Sequence, residues 1–260
     1  MVGQIVVEQV GKTFGGRPGS PAFTAITGLS CEISENEFVC LLGPSGCGKS
    51  TLLGFIAGHD RPTSGRVSFK GRDIRGPGPE RGMVFQQYAL FPWYTVQKNV
   101  SLGLEAKRLD RARIDEITER VLKAVNLWEH RDRFPRELSG GMKQRAAIAR
   151  TLAIEPEVML MDEPFGALDE QTRERLQDEL LGIWQKSRRT VVFVTHSVEE
   201  SVVLADRILV MGRGGRIVSD MANPVPRPRD RLSNDFIDFE RQVQLKLREA
   251  EQAGASAHRG

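Results

Sequence analysis

The sequence predicts an α/β fold built around a phosphate-binding loop, and three observations carry that expectation. An apolar run, Glu37-Phe38-Val39-Cys40-Leu41-Leu42, feeds a glycine-rich loop that opens a helical segment. Val158-Met159-Leu160-Met161 and Val191-Val192-Phe193-Val194 are continuous apolar runs, the signature of parallel strands buried on both faces. Between these regions, residues 95–127 switch to a helical period.

In chain order, residues 4–9, 29–33 and 66–69 carry β-branched or alternating patterns separated by Gly- and Pro-containing turns. The run at 37–42 leads into Gly43-Pro44-Ser45-Gly46-Cys47-Gly48-Lys49-Ser50-Thr51, and residues 50–58 then read as a helix ended by Gly58. Ile114, Ile117, Val121, Ala124 and Val125 fall at i, i+3, i+7, i+10 and i+11, so the middle block reads as a helical insertion in the α/β core. Leu138-Ser139-Gly140-Gly141-Met142 is a turn leading into the helical run of residues 143–150. Leu176, Leu180, Ile183 and Trp184 make one apolar face of a covering helix. Residues 207–210 and 216–218 read as closing strands around a Gly-rich hairpin. From Asn223 the chain is Pro/Arg-rich, then becomes an amphipathic helix carrying Phe236, Phe239 and Val243, with a frayed end over 253–260. There is no internal repeat.

Composition narrows the functional classes. With 260 residues, 40% hydrophobic and 27% charged, the chain has an ordinary globular make-up, enough for one large domain or a domain with an insertion. A net charge of +3 is too small to argue for nucleic acid. No apolar run approaches the roughly 20 residues of a membrane-spanning helix. The first residues lack the basic region and apolar core of a signal peptide. Cys31, Cys40 and Cys47 lack metal-ligand spacing and read as reduced cytosolic thiols.

The glycine-rich loop is the firmest chemical signal. Gly43, Gly46 and Gly48 remove side chains so that backbone N–H groups can wrap phosphates, with Pro44, Ser45, Cys47 and Thr51 completing the cradle. Lys49 supplies positive charge to the β- and γ-phosphates, and the Ser50 hydroxyl can ligate Mg²⁺. Cys47 reads as a small filler of the loop. Asp162 and Glu163 follow an apolar strand, at the edge where parallel sheets bind ligands. Asp162 is placed to hold Mg²⁺, and Glu163 to polarise an attacking water. His196 ends the next apolar strand and can hydrogen-bond a phosphate, whereas His59, His130 and His258 read as structural or exposed. Gln86 ends another apolar strand before the insertion; it is either a plain surface residue or a Mg²⁺ or water contact. Ser139, Gly140 and Gly141 offer backbone N–H groups at a helix N-terminus, a second phosphate reader in a chain with one P-loop. That pairing points to two chains sharing each nucleotide.

With the P-loop, Gln86, Leu138-Ser139-Gly140-Gly141-Met142, Met161-Asp162-Glu163-Pro164 and His196 in this order, the chain resembles the ATP-binding subunit of ABC transporters over about residues 4–220. The resemblance implies a P-loop NTPase cassette with a RecA-like core, an antiparallel β subdomain and a helical insertion. Its domain is expected over 1–222, with the helical subdomain over about 95–142 and a C-terminal tail over 223–260. It also implies roles for single residues. Phe14 stacks on adenine in place of the common Tyr, and Gln86 is the Q-loop glutamine. Ser139 and Gly141 touch the γ-phosphate of a partner's ATP. Asp162 and Glu163 form Walker B with Glu163 as base, Asp169 lies in the D-loop at the dimer seam, and His196 is the switch histidine. Met142 departs from the frequent Gln of the signature.

A finer likeness comes from residues 76–86 followed by Leu90-Phe91-Pro92-Trp93, which look like the nitrate/sulfonate/taurine importer subfamily. The expected function is therefore ATP hydrolysis energising uptake of a small anionic or organic solute: nitrate, an aliphatic sulfonate, taurine or similar. Expected partners are a second cassette, a copy of the same chain, with transmembrane permease subunits and, indirectly, a solute-binding protein. Nucleic acid is not expected. The expected place is the cytoplasmic face of the plasma (inner) membrane, peripherally bound, with Trp93 near the permease contact. Two rivals stand beside this reading: a soluble ABC ATPase acting on nucleic acid or ribosomes, and a P-loop kinase with a small-molecule acceptor.

Overall fold

A computed structural model describes residues 3–15 and 22–253, so the frayed end expected beyond Ala253 lies outside the described residues, as do Met1 and Val2. The chain divides into two compact units, Met1–Gly78 with Thr190–Gly260, and Pro79–Arg189.

The first unit holds two groups of strands. β1 (Ile5–Phe14), β2 (Phe23–Ile33), β4 (Ser64–Phe69) and β5 (Arg72–Asp73) form an antiparallel sheet in the order β2-β1-β4-β5. β1 and β2 extend beyond the predicted runs because each partner continues the ladder as far as Phe14↔Phe23. β3 (Phe38–Leu42) pairs in parallel with β8 (Thr190–Thr195) and β9 (Arg207–Met211), and β10 (Ile217–Ala222) runs antiparallel to β9. Phe38 to Leu42 are 0% exposed, the double-sided burial their unbroken apolar run implies. α1 (Lys49–Ala57) ends at Gly58, whose φ of 79° and N–H bonds to the Gly54 and Phe55 carbonyls close the helix. A Cβ there would sit 2.2 Å from the Gly76 carbonyl oxygen, so glycine is required twice over.

α6 (Val198–Leu204) and α7 (Asn234–Ala253) complete this unit, with Phe236, Phe239 and Val243 buried on α7 as the amphipathic pattern predicts. The Pro/Arg-rich segment before α7 has a definite task. Asn223 donates to the Val202 and Ala205 carbonyls, Arg227 to Leu204 and Arg229 to Val203, which satisfies the orphan carbonyls at the end of α6. Burial and the neighbouring Arg227 lower the Arg229 guanidinium to about 10.

The second unit has one parallel pair, β6 (Arg81–Val84) and β7 (Val158–Asp162), with four α-helices and two short 3-10 turns. The α-helices are α2 (Val96–Ala106), α3 (Arg111–Ala124), α4 (Gly140–Ala153) and α5 (Glu170–Ser187). Their starts follow side-chain chemistry: Thr95, Asp110, Ser139 and Asp169 each accept a backbone N–H of the first turn. Ile114, Ile117, Val121 and Val125 are buried as the spacing predicts, but Ala124 faces outward and Leu122 takes its place inside. Ile183 is half-buried, and Gln177 joins Leu176, Leu180 and Trp184 on the inner face of α5.

Candidate functional site

Within the first unit, the predicted phosphate cradle lies between β3 and α1. Gly48 adopts φ 102° and Gly46 φ 78°, both left-handed conformations that suit glycine. Gly43 has a different constraint, since a Cβ there would lie 2.3 Å from the Met211 carbonyl oxygen. Ser45 and Gly46 are exposed while Pro44 and Gly48 are half-buried, so the cradle is an open rim rather than a hollow. Lys49 is 5% exposed, and its Nζ donates to the Gly43 and Pro44 carbonyls at 2.7 and 3.0 Å. A buried ammonium held by the loop's own carbonyls, beside an exposed helix N-terminus, is fit to receive phosphate oxygens. Ser50 is exposed and Thr51 half-buried on the first turn of α1. Cys47 is 0% exposed, with Sγ 3.9 Å from Lys49 Nζ. Burial raises its thiol, against the opposing pull of Lys49, so it packs as a neutral filler.

Register brings His196 to this cradle. In the parallel pairing of β3 and β8, Leu42 lies opposite Thr195, so Gly43 and His196 leave neighbouring strand ends. His196 is exposed there. Phe14 ends β1 with its ring 43% exposed, and Lys12 Nζ stands 5.0 Å from the ring centroid. A half-open aromatic face is suited to stacking on a base.

In the second unit, the same logic gathers Gln86, Asp162 and Glu163. Val84 is opposite Met161 in the β6–β7 pair, so Gln86 and Glu163 emerge side by side, with Gln86 Nε2 3.5 Å from Glu163 Oε2. Asp162 is the last residue of β7 and, like Glu163, half-buried. Glu163 has φ 43°, a left-handed backbone unusual for a residue with a Cβ. The turn after it closes through Gly166 N–H to the Glu163 carbonyl at 3.2 Å.

Ser139, Gly140 and Gly141 stand at the start of α4, as the sequence indicates. Ser139 Oγ accepts the Met142 N–H at 3.3 Å, which makes it the N-cap. The glycines also have a packing reason that sequence reading missed: a Cβ on Gly141 would lie 2.8 Å from Thr172 Cγ2 on α5. A Cβ on Gly140 would come within 3.3 Å of Leu168 Cδ2 and Tyr88 Oη. Asp169 caps α5 through Thr172 N–H at 3.0 Å, and that bond lowers its carboxyl. Arg150, another residue the sequence did not single out, reaches from α4 to the Ala89 and Tyr88 carbonyls at 2.6 and 3.2 Å. It ties the signature helix to the segment after Gln86. A cavity of about 500 Å³ in this unit is lined by Val121, Leu152, Ile183, Lys186 and Arg189 among others, none of them a predicted site residue.

Beyond Gln86, Asn99 is wholly buried and staples the turn that carries Trp93, donating to the Phe91, Tyr94 and Thr95 carbonyls and accepting the Phe91 N–H. Trp93 itself is 65% exposed.

Comparison with known proteins places these features in context. A family model described as ABC transporter matches residues 26–166. An uncharacterized ABC transporter ATP-binding protein of Methanocaldococcus jannaschii is 53% identical, covering 84% of this chain and 82% of that one. The nitrate import ATP-binding protein NrtD of Synechococcus elongatus is 46% identical over 91% of this chain and 86% of its own. The bicarbonate transport ATP-binding protein CmpD of the same organism is 46% identical over 87% and 82%. Among solved structures, a dimeric ATP-binding cassette in a post-hydrolysis state with ADP and Pi aligns with TM-score 0.75 at 31% identity, covering 84% of this chain and 98% of that one.

Proposed function

The chain belongs to the ABC transporter family and is an ATPase of that family, and from this premise we propose that it energises an importer for a small anionic solute. The observation that carries the solute class is its likeness, at 46% identity, to proteins named for nitrate import and for bicarbonate transport. Both solutes are small oxyanions. Sulfonates and taurine share the anionic oxygens and stay within the proposal.

In this reading two copies of the chain bind two ATP molecules head to tail. Lys49 and the N–H groups at the start of α1 hold the phosphates of one chain's ATP, Phe14 stacks on its adenine, and Ser139 and Gly141 of the other chain close on its γ-phosphate. Glu163 takes the proton of the attacking water, His196 orients the γ-phosphate, and Asp169 lies at the seam. Among the described residues there is no cluster of three or more His, Cys, Asp or Glu, so an all-protein metal cage is absent. That sparse donor set fits Mg²⁺, which keeps waters and phosphate oxygens and takes few protein ligands; Ser50, Gln86 and Asp162 would hold it, and it would supply charge neutralisation.

Among the described residues no helix is long and apolar enough to cross a membrane. In the proposed importer, permease subunits carry the solute, with this chain bound to them at the cytoplasmic face of the membrane. The exposed Trp93, on a turn fixed by Asn99, is the proposed contact, since aromatic side chains on rigid backbone are favoured at interfaces. The test is reconstitution with the membrane subunits that co-purify with this chain in detergent, together with a solute-binding protein. Nitrate, bicarbonate or a sulfonate should stimulate ATP turnover in proteoliposomes. ATP turnover stimulated by RNA or ribosomes, with no detergent-soluble membrane partner, would instead establish the soluble rival.

A further inference from the structure

The predicted switch histidine sits on a turn that is pinned from inside the protein. Thr195 is 2% exposed and Glu200, on α6, is 5% exposed. The Thr195 hydroxyl donates to Glu200 Oε2 and, with its lone pair, accepts the Ser197 N–H at 3.0 Å. Ser197 Oγ in turn accepts the Glu200 N–H at 3.2 Å. The residues on either side of His196 are thus tied to each other through one hydroxyl, and that hydroxyl is anchored to a buried carboxylate. A buried hydroxyl engaged as both donor and acceptor has little freedom to rotate. The other end of α6 is held as well, by Asn223, Arg227 and Arg229. The carboxylate therefore sits on a fixed support, and the strand end it grips lies opposite Leu42, one residue before the phosphate loop.

We infer that Glu200 is a positioning residue for His196: through Thr195 it fixes the turn from which the imidazole reaches the γ-phosphate. The inference rests on the proposed role of His196 but concerns a separate residue. Glu200 is buried behind the turn and acts by holding the backbone beside the histidine. Its amide analogue retains an acceptor oxygen for the Thr195 hydroxyl, so charge is not the operative property.

The experiment uses the full chain and four variants: Glu200→Gln, Glu200→Ala, Thr195→Val and His196→Ala. Two readouts are taken, steady-state ATP hydrolysis and the ring resonance of His196, assigned by its loss in His196→Ala. Glu200→Ala and Thr195→Val should each lower kcat roughly tenfold with KM for ATP little changed, the pattern of an interaction needed only at the transition state. Both should shift or broaden the His196 resonance, and Glu200→Gln should restore both readouts. Adding Glu200→Ala to His196→Ala should cost nothing further, because the two act as one unit. An unmoved His196 resonance in Thr195→Val, or an equal loss of kcat from Glu200→Ala with and without His196, would overturn the inference. Full activity in His196→Ala would remove the catalytic role of His196 instead. That outcome is separable, because the resonance reports the pinned turn whatever the turnover. Should Glu200→Ala fail to fold, Thr195→Val keeps the test intact, since it removes one hydroxyl at nearly constant volume.

Discussion

Glu163 combines a left-handed backbone, φ 43°, with an amide neighbour 3.5 Å from its carboxylate. Backbone strain of this kind persists only where surrounding structure holds it, and here the turn after Glu163 closes through Gly166 N–H to the Glu163 carbonyl, while the parallel β6–β7 register delivers Gln86 to the same strand end. Glu163→Gln preserves shape and hydrogen bonding but cannot accept a proton. It should lower phosphate release by about 10²-fold or more, the scale of general-base catalysis, while ATP-dependent dimers still form in sedimentation. Release at the wild-type rate would end the assignment of Glu163 as base. Protonation also acts on stability at this scale. Glu105 is held below its usual 4.5 first by Lys98, Glu8 below the same value by Arg66, and Asp169 below its usual 3.8 by the Thr172 N–H. Groups with depressed folded values stabilise the fold above their unfolded values, and that contribution disappears as pH falls through the folded ones. Glu240 has the opposite sign, because burial raises it first and Glu199 adds to this, so acid relieves it. Depressed carboxyls outnumber it, and the melting temperature should fall as pH drops below about 4.5, by a modest amount because Glu8 and Asp169 are solvent-screened.

Among the elements, those with a strong local cause were legible in the sequence. β3, β7 and β8 stand where unbroken apolar runs place them, and α1 stops at Gly58 because only a left-handed residue closes it there. The capping residues Thr95, Asp110, Ser139 and Asp169 are of the types that start helices, although the motifs mark only the last two, and for nucleotide chemistry. What the sequence hid depends on distant partners. Nothing local says that Ala124 turns outward, that Asn223, Arg227 and Arg229 finish α6, or that Gly141 must be small for Thr172. This last point bears directly on the signature. Gly141→Ala places a methyl 2.8 Å from Thr172 Cγ2, and forcing α4 from α5 should cost about 1–3 kcal/mol in urea unfolding. Thr172→Ser removes that methyl and should restore most of the loss. If the double variant regains stability but not ATP-driven dimerisation, the glycine serves the nucleotide as well as the packing. If both return together, packing alone explains it.

At the scale of the whole molecule, the motifs themselves pose the question of stoichiometry. The chain has one P-loop, at the start of α1, and a separate N-terminus of α4 carrying Ser139, Gly140 and Gly141. A helix N-terminus whose N–H groups are only partly capped favours an anion, yet in the proposed function each ATP has one γ-phosphate, which Lys49 of its own chain would hold. The proposed pairing of two copies with twofold symmetry would resolve this, because an isologous dimer would present each P-loop to the other chain's signature and close without further subunits. A cis site and a trans site then differ in one measurable respect. Take one preparation carrying Lys49→Ala and another carrying Ser139→Arg. Each homodimer has the same lesion in both of its sites and should be inactive. In a mixed dimer under the trans arrangement, both lesions fall in one site, and the other combines an intact P-loop with an intact signature. Mixing the two inactive preparations should therefore restore ATP hydrolysis, with an optimum near equal amounts. Under a cis arrangement every chain remains defective and no ratio recovers activity, so the absence of recovery, with mixed dimers demonstrated by tag capture, would rule out the shared site.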